Sequence, residues 1–316
     1  MIRYKQLIEQ IEKHDKILII GHHNPDPDAI GAGGALLFFI ETFFPEKTAL
    51  IANIDPFPHH LYFLGIEKYS SALANIDLNK FDLIILVDCG EISRTGIAEK
   101  LENIKGKIFT INIDHHERNN DFADLNIVEQ ISSTCEILFK IFKYNNITIN
   151  KQISTCLLTG ITYDTAYFTN SATTKEAMSA SSELMKTAAD IRSIIRHTWK
   201  NKSPETLKLW GKVLEQLHFN KKYQVAIAVI PKEANIHPEI FNDLKDHYLQ
   251  YLYEVKFIIL IKESNDGYIN CSLRTNRDNI NVAKLAEKFG GGGHKKSAGF
   301  SFKGSLEKTE SGWRIK

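Results

Sequence analysis

Short apolar runs alternate with helix-like segments through the first half of the chain, and this alternation constrains the fold more than any other feature. The runs are continuously apolar, as in strands that are buried on both faces. The pattern predicts the α/β class, with a mainly parallel sheet flanked by helices. The predicted strands are 16–21, 48–52, 82–87 and 107–113, and the predicted helices are 28–42, 133–144, 151–162 and 174–186.

The second half of the chain predicts a separate, smaller α/β domain. A polar and basic segment without a clear period, 187–203, precedes it and predicts a linker. Pro204, with Ser203 as its N-cap, predicts the start of a helix. We therefore divide the chain into a first domain over 1–186, the linker and a second domain over 204–316. The second domain has predicted helices over 204–218 and 281–289 and predicted strands over 223–230, 254–261, 268–274 and 298–302.

The composition is that of a soluble globular protein, with 43% hydrophobic and 24% charged residues. No apolar run approaches the roughly 18 residues of a membrane span, and the N-terminal segment has no apolar signal-peptide core. None of the four cysteines belongs to a C-x-x-C pair, so we expect buried, reduced thiols and a cytoplasmic location. The cysteines are Cys89, Cys135, Cys156 and Cys271.

Acidic and imidazole side chains follow the predicted strands at their carboxyl ends. His22, Asp26 and Asp28 come directly after the first strand, in the segment GHHNPDPDA. Asp88 comes directly after the strand DLIILV. Because ligands of open parallel sheets bind outside the carboxyl ends of the strands, these positions favour a functional site. Each aspartate taken alone is also explained as a helix cap or a turn residue.

Further residues of the same types occur later in the first domain. Asp114, His115 and His116 follow the strand KIFTINI, and Asp164 lies at the end of a helical pattern. A donor set of aspartates and histidines without a thiolate suits Mn²⁺ or Mg²⁺ better than structural zinc. Six ligands with a bridging carboxylate indicate two ions about 3.5–4 Å apart, and such a pair activates water for phosphoester hydrolysis.

The glycine-rich segment FGGGGHKKSAG, residues 289–299, is the sharpest feature of the second domain. Its four glycines leave backbone N–H groups able to surround an anion, and His294, Lys295 and Lys296 add basic side chains. Arg274, at the end of a predicted strand, is a candidate for a bidentate contact with a phosphate or a base. A flexible hairpin with a solvated basic tip is the alternative interpretation. A dinucleotide-binding motif is disfavoured, because the glycines follow a helix rather than a strand.

Five motifs in order carry a family resemblance that covers nearly all of the chain. The segments GHHNPDPDA, VDCGEISRTG, IDHHE and TGITYDT resemble the motif series of the DHH phosphoesterases, and FGGGGHKKSAG resembles the glycine-rich motif of the associated DHHA1 domain. The compact two-domain length is most similar to the branch that contains oligoribonucleases and 3′-phosphoadenosine-5′-phosphate phosphatases. RecJ-type exonucleases usually carry additional domains.

The resemblance implies two Mn²⁺ ions, with Mg²⁺ as an alternative, and a bridging carboxylate at Asp88. It implies Asp88, His115 and His116 as the catalytic residues, with His116 contacting the scissile phosphate or orienting a ligand. The implied metal ligands are His22, Asp26, Asp28, Asp88, His115 and Asp164.

The resemblance also implies a set of substrate contacts. Arg94 in the first domain is a candidate structural or substrate-positioning group, and the second domain would hold a substrate phosphate. The implied substrate-binding residues of the second domain are Arg274, Gly291, Gly292, Gly293 and His294.

Two positions depart from the family pattern. Ala166 stands where the family often has glycine, and a second histidine stands at position 23. The H-x-x-x-D-x-D spacing favours His22 over His23 as the ligand. The pair His59-His60 follows Pro58 and predicts the start of a helix rather than a site.

The resemblance implies a Mn²⁺-dependent phosphohydrolase that degrades short oligonucleotides to mononucleotides, dephosphorylates 3′-phosphoadenosine 5′-phosphate, or does both, with substrate between the domains. A cyclic di-AMP or linear pApA phosphodiesterase is the alternative enzyme. A pyrophosphatase or exopolyphosphatase is disfavoured by the DHHA1-like loop, and a non-catalytic nucleotide-binding protein by the complete ligand set. Substrate choice, polarity, base preference and the presence of a homodimer stay open.

The net charge of +1 is the sum of a negatively charged first part and a positively charged second part of the chain. Residues 1–204 contain 21 Lys and Arg against 25 Asp and Glu, whereas residues 205–316 contain 18 against 13. The near-neutral total disfavours a protein that coats long nucleic acids. The acidic half with metal ligands and the basic half with a phosphate loop favour a short, phosphate-rich substrate.

Overall fold

The computed structural model describes residues 2–230, 254–264, 266–293, 295–309 and 312–316, together with 232, 244 and 252. The chain divides into two compact units between Asn201 and Lys202. None of the helices within these described ranges has the length and apolar character needed to cross a membrane.

The first unit contains the parallel sheet that the apolar runs predict. The strand order is β3-β2-β1-β4-β5-β6, and every neighbouring pair is parallel. The sequence analysis missed the short strands β3 and β6, which lie at the two edges. The strands are β1 (Lys16–Ile20), β2 (Thr48–Asn53), β3 (Ser70–Ala72), β4 (Leu83–Val87), β5 (Phe109–Asp114) and β6 (Leu125–Val128).

Apolar cores cover both faces of this sheet. Ile17 and Ile19 of β1 belong to the larger core, which includes most of the helices, and Leu18 and Ile20 belong to the smaller one. This explains the continuously apolar strands, since alternate side chains enter opposite cores. The helices are α1 (Ile2–Lys13), α2 (Pro27–Phe43), α3 (Ala98–Asn103), α4 (Thr134–Tyr144), α5 (Lys151–Asp164), α6 (Lys175–Lys186) and α7 (Ile191–Thr198).

Three helices of the first unit were not predicted: the short α3 and the two longer helices α1 and α7. α1 lies in the charged N-terminal segment, where Tyr4, Leu7 and Ile11 form a narrow buried stripe among polar residues. α7 lies within the predicted linker 187–203, which is therefore partly helical, and its Ile194 is fully buried in the larger core. In both cases a helix with few apolar residues is stabilised by tertiary packing rather than by a strong periodic pattern.

The strand order places a topological switch between β1 and β4, the two central neighbours. From this point the chain proceeds to β2 and β3 on one side and to β5 and β6 on the other. The connections after β1 and β4 therefore diverge, and a crevice forms at the carboxyl ends of these strands.

α2 and α5 pack closely because glycines lie at their contact. A Cβ atom added to Gly160 of α5 would lie 2.2 Å from Oδ1 of Asp28 and 2.4 Å from Sγ of Cys135. A Cβ atom added to Gly31 of α2 would lie 2.5 Å from the carbonyl oxygen of Cys156. No side chain fits in either place, so the glycines set the distance between the two helices.

The second unit begins with α8 (Pro204–Glu215) and contains a mixed sheet in the order β11-β12-β10-β9-β8-β7. β8 and β9 are parallel, and the other pairs are antiparallel. A separate hairpin follows the sheet. The remaining elements are β7 (His218–Asn220), β8 (Val225–Ile230), β9 (Phe257–Glu263), β10 (Tyr268–Arg274), α9 (Val282–Glu287), β11 (Gly292–Gly293), β12 (Ser297–Lys303), β13 (Leu306–Thr309) and β14 (Gly312–Ile315).

Candidate metal centre

The loop between β1 and α2 directs one imidazole and two carboxylates into the crevice. Nε2 of His22 lies 3.3 Å from Oδ2 of Asp88 and 3.6 Å from Oδ2 of Asp26. Nδ1 of His22 lies 2.8 Å from the carbonyl oxygen of His23, which fixes the orientation of the ring. Asp26 is the N-cap of α2, and its Oδ1 accepts hydrogen bonds from the N–H groups of Asp28 and Ala29. Its Oδ2 remains directed towards His22.

Asp28 is fully buried in the first turn of α2 and accepts two backbone hydrogen bonds from the start of α4. The N–H of Thr134 donates to Oδ2 at 2.7 Å, and the N–H of Cys135 donates to Oδ1 at 3.0 Å. A helix N-terminus favours negative charge, because its first N–H groups have no partners within the helix. The carboxylate is thereby held in one orientation.

Asp88 lies at the centre of the arrangement and follows β4 directly. Its φ of +60° is uncommon for a residue other than glycine and is of the kind that occurs at functional sites. Oδ2 faces His22 at 3.3 Å, and Oδ1 faces Nε2 of His115 at 3.5 Å. Thr134 donates a hydrogen bond to Oδ1 through its hydroxyl group. The two oxygens of one carboxylate therefore face two different groups of donors.

His115 and Asp164 complete the second group of donors. Nε2 of His115 lies 3.2 Å from Oδ2 of Asp164, the last residue of α5. Nδ1 of His115 lies 3.2 Å from the carbonyl oxygen of Ile131. The donor atoms of each group lie within 4.8 Å of one another: His22, Asp26 and Asp88 in the first, Asp28, His115 and Asp164 in the second.

His116 lies beside both groups and is held by a second carboxylate. Its Nδ1 is 2.6 Å from Oδ1 of the fully buried Asp114 and 3.6 Å from Oδ1 of Asp88. Asn119 donates from its side-chain amide to Oδ2 of Asp114 at 2.7 Å. Asp114 is therefore bound at both oxygens and fixes the imidazole ring of His116.

The electrostatics of the site indicate crowded negative charge. Burial and the charge of Asp88 raise the pKa of Asp28 to about 7. Burial, followed by the charge of Asp28, raises the pKa of Asp164 well above its usual range. Burial opposes protonation of His22, but the carboxylates of Asp26 and Asp88 raise its pKa to about 11. Asp28, Asp164 and His22 therefore bind protons more tightly than usual. This is expected of a site whose concentrated negative charge favours cations.

Neighbouring charges also shift the pKa values of the catalytic candidates Asp88 and His116. Burial by itself would raise the pKa of Asp88, but the hydrogen bond from His22 and the charges of His115 and His22 lower it to about 2. Burial would lower the pKa of His116, but the hydrogen bond to Asp114 and the charge of Asp88 raise it to about 9. These influences favour an ionised Asp88 with a protonated His116 beside it.

The donor set fits divalent cations. Each group combines carboxylate oxygens with one imidazole nitrogen, and neither contains a thiolate, which matches the preferences of Mn²⁺. Divalent ions would also offset the repulsion that raises the pKa values of Asp28 and Asp164. The fold brings together the six residues that the resemblance implies as ligands, and it places a donor atom of His116 within the same 4.8 Å of Asp88 and His115.

Other residues singled out in the first unit lie next to the site rather than in it. His23 belongs to neither donor group, and its backbone N–H donates to the carbonyl oxygen of Arg94 at 2.7 Å. Arg94 is exposed on the connection after β4. Burial, followed by the charge of Arg94, lowers the pKa of His23. The hydrogen bond from His23 places Arg94 at the edge of the crevice.

The glycine-rich segment of the second unit differs from the predicted anion nest. Gly290 has a φ of +75° and ends α9, and its N–H donates to the carbonyl oxygen of Glu287. The N–H of Gly291 donates to the carbonyl oxygen of Ala286 at 3.0 Å. This is the hydrogen-bond pattern of a glycine-terminated helix, so the N–H of Gly291 has an acceptor within the chain, and its role as a substrate contact stays a prediction.

The remaining predicted phosphate contacts lie on or beside the mixed sheet. Gly292 and Gly293 pair with β12 as a short edge strand. Arg274 is half-buried at the end of β10 and donates from Nη1 to the carbonyl oxygen of Leu273. His294 lies outside the described residues.

The turn after Asp164 has an unusual backbone. Ala166, Tyr167 and Phe168 all have positive φ angles, of 46°, 57° and 64°. Left-handed residues normally occur singly, because each costs an L-residue roughly 1–2 kcal/mol. The ring of Tyr167 packs edge-on against Trp199 with the centroids 4.8 Å apart, which holds the turn against the end of α7. Ala166, which stands where the family often has glycine, therefore adopts a strained backbone conformation.

The sequence analysis did not assign roles to Thr134 or Asn119. The segment SSTCE carries a signal for Thr134, since serine followed three residues later by glutamate predicts the start of a helix. Ser133 indeed caps α4 by accepting from the N–H of Glu136. The contact of Asn119 with Asp114 depends on the path of a loop and has no local signal.

Comparisons with known proteins agree with the motif series. The DHH family, N-terminal domain, matches residues 16–161, and the DHHA1 domain matches residues 220–311. A probable bifunctional oligoribonuclease and PAP phosphatase NrnA of Streptococcus mutans is 28% identical over 309 residues, which cover 95% of this chain and 93% of the relative.

Two further comparisons extend over most of this chain. The cyclic-di-AMP phosphodiesterase PdeA of Listeria monocytogenes is 25% identical over 326 residues, which cover 94% of this chain but 46% of that protein. The crystal structure of an exopolyphosphatase-related protein from Bacteroides fragilis matches with a TM-score of 0.84 at 26% identity, over 95% of this chain and 91% of that one.

Proposed function

The chain belongs to the DHH family of phosphoesterases and carries a DHHA1 domain, and from this premise we propose that it hydrolyses short nucleotides with two Mn²⁺ ions as cofactors. The substrates are short oligonucleotides, degraded to mononucleotides, and 3′-phosphoadenosine 5′-phosphate, from which one phosphate is removed. Similarity to a NrnA protein along nearly its whole length supports this choice. The four cysteines are buried and unpaired, in keeping with a reducing, cytoplasmic location.

The geometry of Asp88 is the observation that carries the proposal. One carboxylate has Oδ2 facing the group that contains His22 and Oδ1 facing the group that contains His115. A carboxylate that faces two donor groups in this way would bridge two ions. A bound ion pair would supply an activated water and stabilise the charge that develops on a phosphoryl group.

The protein itself would provide orientation and proton transfer. Asp28 is held by the N-terminus of α4, and Asp26 by the N-terminus of α2, so two ligands are fixed before any cation binds. Asp114 holds the Nδ1 side of His116, which leaves Nε2 as the atom that would donate a proton to a phosphate oxygen. Arg94, at the edge of the crevice, would contact another phosphate of the substrate.

The basic second unit would contribute further phosphate contacts through Arg274, His294 and the strand of Gly292 and Gly293. This part of the proposal follows from the family resemblance. The net positive charge of residues 205–316 supports it.

A panel of substrates tests the proposal directly. With Mn²⁺ present, the protein should release phosphate from 3′-phosphoadenosine 5′-phosphate and mononucleotides from di- to pentanucleotides. Pyrophosphate should not turn over. Cyclic di-AMP and its linear product belong in the same panel, because the similarity to PdeA favours them as second candidates. A protein that hydrolyses pyrophosphate alone contradicts the proposed substrate class.

Two aspartates at opposite ends of β4 provide a matched pair of variants. Asp88 follows the strand, whereas Asp82 precedes it and accepts hydrogen bonds from the N–H groups of Asp15 and Lys16. Asp88→Asn should lower the rate by about a thousandfold or more, since it removes a shared metal ligand. Asp82→Asn should leave the rate nearly unchanged. Wild-type turnover by Asp88→Asn would refute the bridging role, and the metal content of both variants should be measured alongside.

A further inference from the structure

The loop that follows β2, residues 54–64, lies at the carboxyl end of the sheet, as the candidate metal centre does. It supplies none of the proposed ligands. Three of its rings form a cluster. The centroids of His59 and Tyr62 are 4.8 Å apart, and those of Phe57 and Tyr62 are 5.7 Å apart. Tyr62 is 42% exposed, and His59 is exposed as well. The sequence analysis assigned the histidine pair here only to the start of a helix, and residues 59–64 do form a short 3₁₀ helix.

The loop is anchored to the metal centre at its start. Oδ2 of Asp55 accepts a hydrogen bond of 2.6 Å from the N–H of Asn24, which lies between the proposed ligands His22 and Asp26. Ile54 packs next to Gly96, on the connection after β4 that also carries Arg94. The loop therefore contacts both connections that form the crevice.

The 3₁₀ helix is also anchored on its inner side. Leu61 and Leu64 are buried in the larger core. Phe63 stacks on His197 of α7, with the rings 4.7 Å apart and nearly parallel. The neighbouring residue of α7, Thr198, contacts the hydroxyl group of Tyr167 in the strained turn after Asp164. Because the inner side chains are fixed, Tyr62 and His59 are held facing outwards.

We propose that Tyr62, with His59 and Phe57 beside it, is a stacking site for a nucleobase whose phosphate lies at the metal centre. Single exposed aromatic residues are common on protein surfaces, but a ring with two others packed against it, on an anchored loop beside a proposed phosphate site, is not explained by packing alone. A base has a flat π-face and stacks on an aromatic side chain irrespective of its identity. The inference rests on the proposed function, because it requires a nucleotide phosphate at the metal centre. It explains how this unit would select nucleotides over base-free phosphates.

Two ligands that differ only in the base test the proposal by equilibrium binding. Adenosine 5′-monophosphate and ribose 5-phosphate share the sugar and the phosphate, so the ratio of their dissociation constants isolates the base. Calorimetry with the Mn²⁺-loaded wild-type protein should give a ratio of about ten or more in favour of the nucleotide. Tyr62→Ala should reduce the ratio to near one by weakening the nucleotide alone. Tyr62→Phe, which keeps the ring, should retain most of it.

Tyr144 provides the matched control. It is 39% exposed and packs edge-on against Tyr4, so it resembles Tyr62 in residue type, exposure and ring contact. It ends α4, about 15 Å along the helix from the residues that hold Asp28. Tyr144→Ala should leave the ratio as in the wild type.

The inference is overturned by any of three results. The first is a wild-type ratio near one, or no measurable binding of the nucleotide. The second is a ratio that stays at the wild-type value in Tyr62→Ala. The third is a ratio that falls as far in Tyr144→Ala as in Tyr62→Ala. Failure of the proposed function has a different signature, namely the absence of nucleotide hydrolysis by the wild-type protein. The binding ratio is measured without turnover and so decides the inference separately.

Discussion

Replacing Gly160 with alanine should damage both the stability of the first unit and its metal centre. In an exposed helix the same substitution is favourable by about 1 kcal/mol, because alanine has the higher helix propensity. At Gly160 the new Cβ would lie 2.2 Å from Oδ1 of Asp28 and 2.4 Å from Sγ of Cys135. Both distances are far below an ordinary carbon contact, so α2, α5 or the Asp28 side chain must move.

The magnitude follows from what has to move. Overpacking a core by one methyl group costs roughly 1–3 kcal/mol. Displacing Asp28 also weakens the hydrogen bond from the N–H of Cys135, worth about 1–3 kcal/mol for a charged acceptor. After subtraction of the propensity gain of about 1 kcal/mol, we expect Gly160→Ala to lower the free energy of unfolding by about 1–5 kcal/mol. Mn²⁺ affinity should fall as well, because Asp28 is a proposed ligand.

Gly211 of α8 is the control, since nothing lies within 4 Å of a Cβ atom added there. Gly211→Ala should raise stability by up to about 1 kcal/mol and leave Mn²⁺ binding unchanged. Urea unfolding followed by circular dichroism measures the stability changes, and calorimetric titration measures Mn²⁺ affinity. A Gly160→Ala protein with wild-type stability and wild-type affinity would show that a methyl group fits at this position and that Asp28 does not have to move.

Three further predictions concern the same unit. Ala166→Gly should raise the free energy of unfolding by about 1 kcal/mol, because glycine adopts the φ of +46° without strain, and urea unfolding that shows a loss contradicts this account. Burial and neighbouring carboxylates raise the pKa of Asp28 to about 7 and that of Asp164 above its usual range, so protons compete with Mn²⁺ near neutrality. Since the ions bind the deprotonated forms, calorimetry should show apparent Mn²⁺ affinity rising from about pH 6 to about pH 8, and a flat profile would argue against these two ligands. Asn119→Ala should lower kcat about tenfold with metal content unchanged, because Asn119 holds Asp114, which in turn orients His116. A parallel loss of bound metal would instead show that Asn119 supports the metal ligands.

The parts of the fold that the sequence predicted are those in which local pattern and burial agree. β4 is apolar throughout, as is β1 after the exposed Lys16 at its start, and their apolar residues are buried on both faces of the sheet. The acidic residues directly after them could be assigned to one site, since parallel strands bring their carboxyl ends together. The position of Asp88 at the centre of the metal site is an example of this rule.

The contacts that sequence analysis could not predict depend on long-range packing. The hydrogen bond from Thr134 to Asp28 joins residues 106 positions apart, and it forms only because α4 begins next to α2. The N–H of Gly291 was expected to face an anion, but the end of α9 uses it. A glycine run is consistent with both arrangements, and the neighbouring elements decide between them.

All six proposed ligands belong to the first unit, between His22 and Asp164. The free energy of ion binding is therefore thermodynamically linked to the unfolding of this unit. Mn²⁺ at a hundred times its Kd adds about 2.7 kcal/mol to the unit that binds it. In differential scanning calorimetry, Mn²⁺ should separate the thermal transitions of the two units by shifting one and leaving the other in place.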